Sequence, residues 1–168
     1  MADGTINGPA AGDALRYRRS RGQDAQAVFD LVSASVSRLA PFPYTRQVVD
    51  SWMSGRTAGD YLADCANGDI WIAEAGHVPA GFAHGVPGEI KRLFVAAEHS
   101  GKGAGAGLMQ RALSDALPEG TGHVRIEATL NAVSFYARWG FAETGRGVFP
   151  GRGPQLPQID VVILEKTF

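Results

Sequence analysis

A strand that runs into a helix through four glycines is the feature that most narrows what this chain can fold into. In RLFVAAEHSGKGAGAGLMQRAL, residues 92–113, an apolar strand opens the stretch and a helical pattern closes it. Between them Gly101, Gly103, Gly105 and Gly107 sit at alternate positions. Two of these fall in the first turns of the helical pattern, where each glycine costs about 1 kcal/mol relative to alanine. A flexible turn accounts for Gly101 and Gly103 but not for glycines inside a helix. A phosphate-bearing ligand accounts for all of them. A helix N-terminus carries unpaired N–H groups and partial positive charge, glycine has no Cβ to hold a phosphate away, and Lys102 adds a positive side chain.

Two phosphate-binding designs fit that description. Gly101, Gly103 and Ala106 satisfy the dinucleotide fingerprint G-x-G-x-x-G/A, and Glu127 supplies an acid on the next strand. A doubly wound dinucleotide fold, however, needs several βα units after the fingerprint and places it at the start of the sheet. Here four strands precede it and too little chain follows. The P-loop pattern is absent. A pyrophosphate cradle in a different fold remains.

Periodicity gives the rest of the order. ALRYRRS reads as a short strand. GQDAQAVFDLVSASVSRL carries apolar residues at Ala27, Val28, Leu31, Val32, Val36 and Leu39, which is helical spacing, with Asp24 able to cap it near its N-terminus. PFPY, residues 41–44, breaks the chain. TRQVVDSWMSG reads as a second helix capped by Thr45, and GDYLADCANG as a third. DIWIAEAG and PAGFAHGV form two strands joined by a tight turn around residues 77–79, and GEIKRLFV is another strand. After the glycine segment a helix stops near Pro118 and Gly120, and HVRIEAT is a strand. NAVSFYARWGF is a short helix with Asn131 as cap and Gly140 at its left-handed end. FAETGRGVF and QIDVVILEKTF close the chain as strands. Residues 1–13 have little to bury and read as a mobile tail. Residues 14–168 read as one mixed α/β domain.

Bulk properties exclude several classes. The chain has 168 residues, is 45% hydrophobic and carries a formal net charge of -1, so no overall field attracts nucleic acid or an anionic membrane. The basic cluster RYRRSR, residues 16–21, is split between two faces by strand alternation and reads as a solvated strand end. The lone cysteine, Cys65, cannot form an internal disulfide or a zinc site, and the sequence shows no metal cluster. No secretory leader is evident and no apolar run approaches the ~18 residues of a membrane span. A soluble cytoplasmic protein is the expectation.

With the glycine segment in place, the sequence resembles the GNAT family of N-acetyltransferases. The family's signature, Q/R-x-x-G-x-G/A after a strand and opening a helix, corresponds to Ser100, Gly101, Lys102, Gly103, Ala104 and Gly105. EIKRLFV resembles the family's fourth strand, and TLNAVSFYARWGF its second signature, an Asn followed by Phe-Tyr and then Gly-Phe. Ser100 departs from the usual Gln or Arg, bringing no charge and less reach. The resemblance implies a central, mostly antiparallel mixed sheet of six or seven strands with helices on both faces, and acetyl-CoA as acyl donor.

It also implies roles. Residues 100–105 would hold the pyrophosphate. The backbone of Leu93, Phe94 and Val95 would pair with the pantetheine arm, an N–H near Val95 would meet the thioester oxygen, and Asn131 would contact the arm. Tyr136 resembles the family's acid for the departing thiolate. Glu89, expected on the same strand face as Leu93 and Val95, and Glu127 are alternative bases, with His84 and His99 behind them. The acceptor pocket would use Phe42, Tyr44 and Trp52, and the loop at residues 147–157 would shape that pocket or a dimer contact. The leading expectation is acetyl transfer to a small-molecule amine without a covalent enzyme intermediate. A CoA-binding module without transferase activity, suggested by Ser100, and a small nucleotide-binding oxidoreductase are the alternatives.

Overall fold

The computed structural model describes residues 14–149 and 155–168. The segment 1–13, read above as a tail, and residues 150–154 of the final loop lie outside the described residues. One sheet has the order β1-β2-β3-β4-β5-β7-β6. Its strands are β1 (Leu15–Arg19), β2 (Trp71–Ala75), β3 (Val78–Val86), β4 (Glu89–Val95), β5 (His123–Thr129), β6 (Ala142–Val148) and β7 (Asp160–Thr167). The helices are α1 (Ala25–Ser37), α2 (Arg46–Met53), α3 (Leu62–Ala66), α4 (Ala104–Ala116) and α5 (Val133–Ala137). Neighbouring strands are antiparallel throughout except for β4 and β5, which are parallel because α4 carries the chain back between them. The seven-stranded, mostly antiparallel sheet is the architecture expected from the sequence.

The helices divide between two faces. In α1, Ala25, Val28, Leu31, Val32 and Val36 are buried; this stripe packs with α2, α3, Ile72 and Phe82 on one face. Thr45 caps α2, its Oγ1 accepting from the Val48 N–H at 3.3 Å. On the other face α4 lies close against β3. A Cβ on Gly85 would run into the backbone of Ala112, and Ala104, Ala112 and Ala116 are buried there. Gly107 belongs to this packing too. A Cβ there would overlap the Tyr17 ring and hydroxyl, and Arg111 stacks over that ring at 3.7 Å. One of the four alternate glycines is therefore required by a neighbouring tyrosine rather than by a ligand.

Two sequence expectations change for physical reasons. The arginines of β1 do go to opposite faces, but they are not simply solvated. Arg18 makes a two-pronged pair with Asp24 at 2.8 Å and also bonds Glu74. Arg19 pairs with Asp115 at 2.7 Å and lies 4.1 Å over the Trp71 ring. Asp24 does not cap α1. It is buried, accepting from the Arg21 N–H at 2.7 Å, and the Arg18 guanidinium holds its carboxyl below the usual carboxylate range. The second change is in β4. A register shift opposite His84 and Gly85 makes Lys91 an extra residue, so Ile90 falls on the α4 face together with Leu93 and Val95. Glu89 is therefore turned to the opposite face from Leu93 and Val95, contrary to simple alternation.

The Arg18–Asp24 pair ties β1 to the start of α1. Because the folded carboxyl titrates below its unfolded value of about 3.9, its stabilisation is present above that pH and fades as pH falls through the folded value. Asp24→Asn is expected to cost about 2 kcal/mol at pH 7 in urea unfolding. The gap to wild type should narrow below pH ~4, and a constant gap from pH 7 to pH 3 would contradict the pairing.

Candidate functional site

The parallel pair β4–β5 is in register for two residue pairs only, Glu89 with Arg125 and Ile90 with Ile126. Both strands run on, yet they part. β4 stays paired with β3 as far as Gly81↔Val95, and β5 with β7 as far as Thr129↔Val161. The inner edges of Leu93, Phe94 and Val95 therefore face β5 with no strand partner. Unpaired backbone groups in mid-sheet are costly unless water or a ligand meets them. A V-shaped gap of this kind accepts an extended chain, which adds to a strand edge through main-chain hydrogen bonds.

The gap is braced from outside. Tyr44, buried in the loop before α2, donates its hydroxyl proton to the Asp160 carbonyl at 2.6 Å and accepts from the Leu130 N–H at 3.1 Å. That clamps the end of β5 to β7. Beyond β4, the Ala96 N–H donates to the Ala80 carbonyl at 2.8 Å and holds that strand end to β3.

At the open end of the V stands the glycine turn. Gly101 has φ 73° and Gly103 φ 90°, and a Cβ at either would meet nothing within 4 Å, so the space over them is free. Gly103 is the N-cap of α4 with no side-chain cap, and the Gly107 N–H donates to the Gly103 carbonyl at 3.1 Å. The N–H groups of Ala104, Gly105 and Ala106 are thus left without intrahelical acceptors. Gly105 brings this terminus against the V, since a Cβ there would lie 3.2 Å from Phe135 and 3.8 Å from Val95. Ser100 and Lys102 are exposed beside the turn.

Two hollows adjoin along β4. The larger, ≈ 710 Å³, is lined by Val95, Ser100, Asn131 and Phe42 together with the outer side of α1. Phe42 is 86% exposed there. Asn131 does not cap a helix as the sequence suggested; its segment has no side-chain cap hydrogen bond, which leaves the amide available to a ligand. The smaller hollow, ≈ 190 Å³, passes between β4 and β5 and is lined by Leu93, Phe94, Glu127, Trp52 and Tyr136.

Tyr136 lies under this second hollow, packed edge-on against Phe135 and Phe141 at 5.1 and 6.3 Å. Burial pushes its phenol well above the usual tyrosine range, and its hydroxyl has no hydrogen-bond partner among the described residues. Glu127 faces the α1–α3 side of β5, because Val124, Ile126 and Ala128 take the α4 side, and it accepts from Arg125 at 3.1 Å. Glu89 sits at the closed end of the V and lines neither hollow. His84 is buried behind β4, its Nδ1 without a hydrogen-bond partner and 3.8 Å from an Asp64 oxygen; burial lowers its pKa. Asp69 stands near this pair, and the three ligand atoms lie within 4.8 Å of one another.

The sequence reading missed Arg56, Tyr61, Arg92 and Phe149, all of which line the smaller hollow. They come from four separate segments. None of them carried a local signal; Arg56, for example, lies beyond the end of α2 at Met53 and past Gly55 with φ 76°.

Comparison with known proteins follows the same lines. A family model of the acetyltransferase (GNAT) domain matches residues 43–150. A GCN5-related N-acetyltransferase from Rhodopseudomonas palustris superposes with a TM-score of 0.81 at 23% identity, covering 96% of this chain and 100% of that one. PaiA N-acetyltransferase from Thermoplasma acidophilum, solved with coenzyme A, gives 0.66 at 20% identity over 92% and 99% of the two chains. YncA from Salmonella typhimurium, solved with acetyl-CoA, gives 0.65 at 17% over 92% and 94%. No protein of curated function matches the sequence.

Tyr44 was expected to touch an acceptor, whereas its hydroxyl is consumed in bracing the V. Tyr44→Phe strands the Leu130 N–H and the Asp160 carbonyl and is expected to cost about 1–3 kcal/mol in denaturant unfolding. A variant as stable as wild type would show the brace to be idle.

Proposed function

The chain belongs to the GNAT acetyltransferase family, and from that premise we propose that it moves an acetyl group from acetyl-CoA directly to the primary amine of a small molecule. The observation that carries the reading is the parting of β4 from β5 directly beneath the uncapped start of α4. A thioester cofactor has an anionic diphosphate and a long amide-bearing arm. The first suits bare helix N–H groups, and the second suits an open strand edge.

In this reading residues 101–105 would hold the diphosphate, with Ser100 and Lys102 flanking the turn, and the open edge of Leu93, Phe94 and Val95 would pair with the arm, Asn131 lining the hollow beside it. The thioester would supply the activated acetyl group, and the smaller hollow would receive the acceptor. A lysine-like amine, with pKa ~10.4, must lose a proton before attack. Glu127 lines the hollow and is the favoured base; Glu89, at the closed end, would act only at a distance. The amine nitrogen bonds to the thioester carbon, and a β4 main-chain N–H near Val95 faces the oxygen as charge builds. The C–S bond breaks as the carbonyl re-forms, the thiolate takes a proton from Tyr136, and the second proton shed by the new amide nitrogen restores the phenol. Burial keeps that phenol protonated at neutral pH.

Direct transfer also fits the lone thiol. Cys65 is fully buried, and burial pushes its pKa up to about 11, so it presents no thiolate at neutral pH. Among the described residues no helix is long and apolar enough to cross a membrane, and a cytoplasmic site of action is consistent with that.

Acetyl-CoA supplied with a panel of amines is expected to release free thiol, and coenzyme binding with no turnover on any amine would favour a binding module instead. Tyr136→Phe should lower kcat by about 10²-fold or more while leaving the Kd for acetyl-CoA nearly constant. Unchanged kcat would remove the phenol from the mechanism. Gly103→Val places a β-branched residue at φ 90°, costing about 1–2 kcal/mol of local strain. Coenzyme affinity should fall at least ~10-fold, read by calorimetry; normal affinity would contradict the diphosphate cradle.

A further inference from the structure

The smaller hollow carries a charge pattern that a plain amine does not explain. Its walls include Arg56, Lys91 and Arg92 against the single carboxylate of Glu127. Arg56 is half-buried. Its Nε donates to the Trp52 carbonyl at 3.1 Å, which fixes the plane of the guanidinium, and no carboxylate among the described residues pairs with it. Both Nη groups are left as an open fork. Arg92 is gripped from behind. One Nη donates to Asp64 at 3.2 Å, and the guanidinium lies 5.2 Å from the Tyr61 ring centroid. Its Nε and other Nη have no acceptor among the described residues.

Holding a guanidinium half out of water without an anion, as at Arg56, is unfavourable, and Arg92, paired with Asp64 through one Nη alone, leaves further N–H groups on the same small hollow. The cofactor diphosphate does not account for them. They stand among α2, α3 and the α1–α3 side of the sheet, whereas the glycine turn belongs to α4 on the opposite side. Resting on the acyltransfer reading above, we infer that the acceptor is an amine that also bears a carboxylate, such as an amino acid, and that Arg56, seconded by Arg92, recognises the carboxylate. The planar fork of arginine matches two carboxylate oxygens, which a lysine ammonium does not. Arg56 and Glu127 then act on opposite ends of a zwitterion. The arginine holds the carboxylate, and Glu127 receives the ammonium and takes its proton. Trp52 and Tyr61 supply apolar walls for the atoms between.

The test is thiol release from acetyl-CoA with matched pairs: α-amino acids, the amines formed by removing their carboxylate, and the corresponding aminophosphonates. At least one amino acid is expected to exceed its decarboxylated partner by roughly 10–100-fold in kcat/KM, chiefly through KM. In Arg56→Gln that ratio should collapse toward one, and in Arg56→Lys it should lie between, since charge is kept and the fork lost. A decarboxylated amine used as well as its amino acid overturns the inference and leaves the acyltransfer reading standing, as does a preference for aminophosphonates. Acetylation confined to peptides without a free carboxylate near the amine overturns it too. No thiol release with any amine removes both readings.

Discussion

The structure turns on two central strands that begin as partners and separate. β4 and β5 could continue their parallel ladder; each has residues to spare, and each is paired along its outer side, with one bulge at Lys91 in β4. They do not, because their far ends are tied elsewhere: β4 to β3 through Ala96 and Ala80, and β5 to β7 through the two bonds of the Tyr44 hydroxyl. Open backbone in the middle of a sheet is a standing loss of hydrogen bonding. Its persistence makes sense where another extended chain completes the ladder. The hollow between the strands, the buried phenol beneath it and the glycine turn at its mouth all take their positions from that separation.

The glycine segment shows how one short run of sequence answers two demands. Gly101 and Gly103 supply positive φ at the turn, which leaves the α4 amides bare and approachable. Gly105 lets the same helix start close on Phe135 and Val95. Gly107 serves only packing, making room for Tyr17 from β1. A helix with so poor a beginning is sustained by its burial on β3 through alanines and Gly85, not by its own propensity.

Much of this was legible in the sequence, and the exceptions share a cause. The order of elements followed from periodicity, since helical stripes such as Val28, Leu31, Val32 and Val36 and the alternating strands bury one face each. The position of the glycine turn at the start of α4 followed from the sequence, and the family resemblance pointed to Tyr136, which the fold sets beneath the smaller hollow. What was not legible depended on contacts between distant segments or on a single extra residue. The bulge at Lys91 turns Glu89 away from the face of Leu93, and one residue of slip is enough to exchange the faces of a strand. Asp24 reads as a helix cap until Arg18 is seen to claim it, and Tyr44 reads as a pocket aromatic until its hydroxyl is traced to β7. Arg56 and Arg92 meet on one hollow from segments on either side of β2 and β3.

The central claim is that the gap between β4 and β5 is a receptor for an extended thioester arm, and amide hydrogen exchange tests it most directly. With saturating acetyl-CoA, amides within residues 91–95 and 103–106 are expected to slow by about tenfold or more, because the ligand would supply the acceptors that the fold leaves out. Exchange in β7 should change little. Tight coenzyme binding with those amides exchanging as in the free protein would contradict the account.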